Sequence, residues 1–360
     1  MSQAPASFDQ RAARLTEAAI QVRLFPGTVV GYYARGRSTV LPFGRFTYDA
    51  ASPVVQPGTI YDVASITKSV PTSCLILQLV DSGKLALDTP AIAYVPELTT
   101  AYRERITVRH LLTYTVIFNQ PQGLSGLAQL YGKDFLEPAL QSELTDPPGQ
   151  RYFYTNPPAL ILGLIAERVT GRPLGALAEA AFFGPLGMGR TSFFPERLPL
   201  ADITPTEVVN GQEVRGVVQD ETARVMASMG RQSGNAGLFS DVAGLLRFGQ
   251  MVAARGEWDG RRYLQPKTVI EMARNQLTAI GEHSGLGWEI NRPEVMGRAA
   301  RDQVLIKSGH TGCLLVIDLE HQAVLVMLSN RTYPKRGDRA PLREYWCRMN
   351  EAFWDDIREG

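Results

Sequence analysis

The stretch Val63-Ala64-Ser65-Ile66-Thr67-Lys68 holds the only Ser-x-x-Lys in the sequence, and it opens a long apolar run that reads as a buried helix. Three residues apart on a helix, the Ser65 hydroxyl and the Lys68 amine share a face and can share a proton. A serine is a weak nucleophile until a base activates it, and a lysine one turn away is one way to do so. Alone, the same pair reads better as a helix cap and a solvated first-turn lysine. Partners elsewhere in the chain decide between the two.

Working outward, 60–63 reads as a short extended segment before the serine, and 28–33 and 39–48 as strands. Ala13, Leu15, Ala18, Ala19 and Val22 recur at helical spacing and stop before Pro26-Gly27. Beyond the serine, Pro71 should kink the helix, and Gly83 should end it. Residues 85–276 are mostly helical with long loops; helices are expected at 108–113, 158–170, 174–183 and 242–254, the last capped by Ser240-Asp241. Strand patterns return at 286–290, 303–308, 313–319 and 323–329, and a helix at 342–357 closes the chain. The two ends, 1–84 and 277–360, therefore form one discontinuous α/β domain, with a mainly helical domain at 85–276 inserted and the site between them.

Lys+Arg and Asp+Glu number 37 and 36, so no charge excess points to nucleic acid or an anionic membrane. The apolar runs are too short to span a bilayer. Cys74, Cys313 and Cys347 are scattered, without metal or disulfide spacing, and His110, His283, His310 and His321 form no metal pattern. No metal or organic cofactor is expected. The N-terminus lacks a basic segment followed by an apolar core, so the expected location is cytoplasmic. Gly-x-Ser-x-Gly and a phosphate-binding Gly-Lys-Ser/Thr loop are both absent from the sequence.

Two further segments supply candidate partners. Tyr154-Thr155-Asn156 is the only Tyr-x-Asn and precedes a helix. A phenol with pKa about 10 needs roughly three units of help, about 4 kcal/mol, to act as a base near pH 7. One ammonium at about 4 Å and effective dielectric about 20 supplies a similar energy; desolvation opposes it, so two cations serve better than one. The run Ile306-Lys307-Ser308-Gly309-His310-Thr311-Gly312-Cys313 contains Lys-Ser-Gly and His-Thr-Gly back to back.

With these three motifs in this order, the chain resembles the serine β-lactamase and penicillin-binding-protein superfamily, in its class C β-lactamase and esterase-like branch. Residues 61–65, 79–88, 107–113, 154–171 and 236–249 also look like family segments. The resemblance implies an antiparallel sheet flanked by N- and C-terminal helices with an inserted helical domain. It implies acyl transfer in which Ser65 attacks a carbonyl and Lys68 and Tyr154 accept and return its proton. Asn156 is then expected to orient Lys68 or a substrate amide. Of the two third motifs, Lys307-Ser308-Gly309 leaves a strand, a tight turn at 309–312 and a returning strand, as a hairpin requires. His310-Thr311-Gly312 would push the turn into the apolar run 313–317. With the lysine motif, Lys307 is the second cation beside Tyr154 or a clamp for a substrate carboxylate. Ser308 and Gly309 line the site, and the amides of Ser65 and His310 hold the oxyanion.

Two segments depart from the family pattern. Leu111-Leu112-Thr113-Tyr114-Thr115-Val116-Ile117 stands where relatives often have Leu-Leu-Thr-His-Thr-Ser-Gly, and Gly234-Asn235-Ala236-Gly237 where they often have Gly-His-Ala-Gly. The expected substrate is a small-molecule ester or amide. A carboxylesterase is the first reading; a β-lactamase or D-amino-acid peptidase is the second, and a silent ligand-binding relative the third.

Overall fold

The computed structural model describes residues 7–359. Five antiparallel strands form its central sheet: β1 (Gly27–Ala34), β2 (Arg37–Gly44), β3 (Val304–Ser308), β4 (Leu314–Asp318) and β5 (Ala323–Ser329). Their order is β2-β1-β5-β4-β3, so strands from the two ends of the chain meet where β1 pairs with β5. Side chains alternate across such a sheet. Val304, Ile306, Leu314, Val316, Leu325 and Met327 face one way. Leu305, Leu315, Ile317, Val324, Val326 and Leu328 face the other.

The first face is covered by helices α1 (Phe8–Gln21) and α5 (Ala340–Glu359). Ser7 caps α1 by accepting from the Gln10 amide, and Phe8, Ala12, Thr16 and Ala19 form its buried stripe. From α5 come Leu342, Tyr345, Trp346, Met349 and Phe353, again at helical spacing. The charged end of α5 holds the start of α1. Asp356 accepts from the Phe8 amide at 2.8 Å, and Arg11 reaches the same carboxylate.

The second face meets helix α4 (Val242–Ala253), capped by Asp241, and through it the mainly helical middle of the chain. The approach is close. A β-carbon on Gly31 of β1 would lie 2.1 Å from Val242, so only glycine fits there. In the middle, helices α2 (Cys74–Asp81) and α3 (Pro157–Thr170) pack into the same apolar cluster. No helix among the described residues is long and apolar enough to cross a membrane.

One local expectation holds and one fails. The helix that Ser65 opens is broken before Pro71, as expected. Residues Ala64–Lys68 form a 3-10 turn, and the backbone leaves helical angles at Val70 (φ −114°, ψ 104°) before α2 begins. Pro71 disfavours the helical region for the residue before it. The expected strand at 286–290 is a single bridge, Glu289 to Ile306 of β3. Gly285 and Gly287 bend the chain here, with the Gly285 amide donating to Trp288 O and that of Gly287 to Leu112 O.

Asp318 closes β4. Fully buried, its carboxylate accepts from Trp354 Nε1 of α5 (2.7 Å), His321 Nδ1 (2.9 Å) and Arg301. Burial raises its pKa, but these partners outweigh that and hold it below the usual range. We expect Asp318→Ala to cost about 3 kcal/mol in urea unfolding, since it removes the acceptor of the buried Trp354 indole N–H and the carboxylate paired with Arg301. A carboxyl with a depressed folded pKa contributes stability above its unfolded pKa and loses it as pH falls through the folded value. The gap between the two proteins should therefore close below about pH 4; a gap independent of pH would show that the charge is not responsible.

Candidate active site

The site is built where β3, the Ser65 turn and the loop before α3 converge. Short extended residues Tyr61–Asp62 pair with Phe239–Ser240 and lead into the turn. Ala64 takes φ +47°, a strained value for a residue with a β-carbon, immediately before Ser65. The turn is tied by Thr67 Oγ1 donating to Ala64 O at 2.6 Å. Lys68 is fully buried, and its Nζ donates to Ser65 Oγ and to the backbone oxygen of Asn235, both at 2.8 Å. Burial pushes the Lys68 ammonium below its ordinary range, aided by the charge of Lys307 and opposed by Tyr154.

Tyr154 lies between the two lysines. Lys307 Nζ is 4.1 Å and Lys68 Nζ 5.5 Å from the centre of its ring. Its hydroxyl is buried and makes no hydrogen bond of standard geometry. Burial raises the pKa of this phenol, but Lys307 and then Lys68 outweigh burial, and the net shift is downward. This is the two-cation arrangement that the energetics of a tyrosine base require.

Lys307 reaches Tyr154 because it shares the face of β3 that carries Leu305, the face turned toward the helical middle. It is fully buried, and its Nζ donates to Glu289 Oε1 at 3.0 Å. Burial works against its charge, but Glu289, Tyr114 and Tyr154 outweigh that and hold the ammonium firmly protonated. Glu289 in turn stays ionised, because Lys307 offsets its burial. The Glu289 to Ile306 bridge sets this pair in register.

The hairpin after β3 turns at Gly309, whose amide donates to Cys313 O at 2.7 Å, and Ser308 pairs with Leu314. A β-carbon on Gly309 would lie 2.4 Å from Val63 O, so glycine lets this turn press against the nucleophile turn. Among the described residues the amides of Ser65 and His310, the pair expected to hold an oxyanion, donate no hydrogen bond. The His310 ring is pushed down to about 4 by burial and by Arg331, Arg339 and Arg336, so it is neutral near pH 7 and supplies no charge. Thr311 donates to Asp62 O at 2.7 Å and is buried in the frame.

Ser65, Lys68, Tyr154 and Lys307 thus lie together, with Gly309 against the nucleophile turn. Asn156 differs from expectation. It stands before α3, where its backbone oxygen accepts from the Leu160 amide, but its side chain bonds neither Lys68 nor the helix; Lys68 is held instead by the carbonyl of Asn235. Four contributors carry no motif that marks them as site residues. Glu289 neutralises Lys307, and Asn235 lends a backbone oxygen that no motif reveals. Tyr114, fully buried, packs its ring 4.9 Å from that of Tyr154 and 5.4 Å from Lys307 Nζ. Asp62 braces the turn. Asn235 and Tyr114 show in the sequence only as departures from the family pattern, and both touch the catalytic cluster.

A serine with a buried lysine and a cation-flanked tyrosine, on this sheet-and-helix frame, defines a serine hydrolase of the β-lactamase/transpeptidase fold. Residues 12–345 match the family model described as Beta-lactamase, and the chain belongs to that family. It is 29% identical over 329 residues to a putative D-alanyl-D-alanine carboxypeptidase of Escherichia coli K12, covering 81% of this chain and 74% of that protein. In structure it is similar to the LovD6 mutant of simvastatin synthase from Aspergillus terreus, with TM-score 0.78, 20% identity and 100% of both chains covered. It is also similar to EstCE1, described as a hydrolase with promiscuous acyltransferase activity, with TM-score 0.74, 20% identity, and 96% and 98% coverage.

Replacing Tyr154 by Phe should lower kcat by about 10²–10⁴-fold with little change in KM. The paired variant Lys307→Met with Glu289→Gln removes a pKa-lowering charge without leaving a lone buried carboxylate. The phenol then titrates at higher pH, so the acid limb of kcat/KM should move to higher pH. An unmoved limb would mean that Tyr154 is not the base.

Proposed function

We propose that this serine hydrolase is a carboxylesterase on small esters, working through an acyl-enzyme on Ser65. One observation carries the reading: the ammonium of Lys307 is already engaged. It is fully buried, paired with Glu289 and set against two tyrosine rings. A clamp for the carboxylate of a β-lactam or a D-peptide needs an ammonium that can meet it. Here that ammonium serves Tyr154, so an uncharged ester suits the site better. The replacements at Tyr114 and Asn235 support a substrate that differs from the common family one.

In this mechanism Ser65 Oγ attacks the ester carbonyl carbon while Tyr154, as phenolate, takes the hydroxyl proton. The amides of Ser65 and His310 receive the negative charge that develops on the carbonyl oxygen. Collapse of this intermediate breaks the bond to the alcohol oxygen, and the proton held by Tyr154 passes to that oxygen. A water then attacks the acyl-enzyme with Tyr154 again the base, and Ser65 recovers its proton. Lys68, bonded to Ser65 Oγ, steers the proton throughout.

The second reading, a D-amino-acid carboxypeptidase, is favoured by the likeness to the E. coli putative D-alanyl-D-alanine carboxypeptidase. A substrate panel separates the two. The kcat/KM for p-nitrophenyl butyrate should exceed that for a chromogenic cephalosporin or N-acetyl-D-alanyl-D-alanine by at least about 10²-fold, and vanish in Ser65→Ala. Faster release of D-alanine would overturn the ester reading. Failure of a fluorophosphonate to label Ser65 would favour a silent ligand-binding protein.

A further inference from the structure

We propose that Asp62 is a positioning residue, a buried carboxylate that clamps the nucleophile turn to the segments carrying its proton relay and its oxyanion hairpin. Three contacts carry the proposal. Asp62 Oδ1 accepts from the Ala64 amide at 2.9 Å, one residue before Ser65 and at the strained φ of the turn. Its Oδ2 accepts from the Gln219 amide at 2.8 Å. Its backbone oxygen accepts from Thr311 Oγ1 at 2.7 Å, next to His310.

The Gln219 contact extends to the base. Asp220, the next residue, accepts from Asn235 Nδ2 at 3.3 Å, and Asn235 O is what holds Lys68. One carboxylate therefore sets the turn of Ser65 against the support of Lys68, while its own carbonyl anchors the hairpin. An amide side chain cannot do this. With an asparagine in place of the aspartate, N–H would face one of two backbone N–H groups that both need an acceptor.

The surroundings of the carboxylate bear on its titration. From the 219–224 segment it faces Asp220 and Arg224; from the hairpin it faces Cys313. Tyr61 beside it stays neutral, its pKa raised well above normal by burial. Burial raises Asp62 to about 6, against the two amide hydrogen bonds and Arg224 that lower it. As pH falls through that value, the neutral acid becomes a weaker acceptor for both amides.

The proposal rests on Ser65 as nucleophile but not on the identity of the substrate, so the probe is a fluorophosphonate that reacts with any activated serine. Its second-order labelling rate is followed from pH 5 to pH 9 for the native protein and Asp62→Asn. At pH 8 the variant should react about 10²-fold more slowly, the scale set by small misplacements of a nucleophile. The ratio of the two rates cancels titrations that both proteins share. It should stay high above pH 6 and collapse toward one below it, where the native carboxyl is protonated. A ratio independent of pH, or near one throughout, overturns the positioning role while leaving the nucleophile intact. Should circular dichroism show Asp62→Asn unfolded, Arg224→Met serves in its place. Loss of that pKa-lowering charge raises the Asp62 value, so the native-to-variant ratio should pass through a maximum just above pH 6. A flat ratio overturns the proposal. A native protein that is not labelled overturns both this role and Ser65 as nucleophile.

Discussion

Two buried ammonium groups and one partly buried carboxylate gather about the ring of Tyr154, and their charges do not cancel. Lys307 and Glu289 neutralise each other. Among the described residues Lys68 has no carboxylate in hydrogen-bond contact, only Ser65 Oγ and a backbone oxygen. In a site this dry, an uncompensated charge is costly, and groups shift their pKa values to avoid it. The cluster is neutral in two ways: Lys68 gives up its proton, or Tyr154 loses its own and becomes the missing anion. Burial holds Lys68 below its ordinary range, and the two ammonium groups hold Tyr154 below its own against burial. One proton shared between an amine and a phenol, beside a serine hydroxyl, is what acyl transfer needs at each of its steps.

That charge arrangement depends on close approach elsewhere. Glycine at 31 lets α4 meet the sheet, and glycine at 309 lets the β3 hairpin press on Val63. Asp62 then ties the Ser65 turn, the Gln219 segment and Thr311 into one frame. The strained angle at Ala64 persists because these contacts over-determine it. Pro71 adds a further constraint, since it ends the serine turn and lets α2 run off in its own direction.

Much of this is legible in the chain itself. Short continuous apolar runs bounded by turn residues locate β3, β4 and β5 within a residue or two, and the turn at 309–312 places Lys307 at a strand end. The strand expected at 286–290 fails because two glycines bend it to a single bridge. Asn156 reads as a group that orients Lys68 or a substrate amide because its side chain belongs to a motif, and the first of these does not hold. The real partner is a main-chain oxygen, and any residue type can offer one. Glu289 escapes notice because its role appears only when one bridge aligns it with β3. Asp62 looks like a strand residue, because nothing in sequence reveals which amides surround a carboxylate.

The sequence alone determined the chemistry on offer. Ser65, Lys68, Tyr154 and Lys307 are rare combinations of residue types in a fixed order, set on elements whose hydrophobic periodicity is local and readable. Tertiary structure decided how those groups are charged and therefore what they do. Whether Lys307 is free for a substrate or bound to Glu289, and whether Tyr154 sits between two cations or one, depends on distances between residues far apart in the chain. Burial and Coulomb energies follow those distances, and local sequence pattern does not encode them.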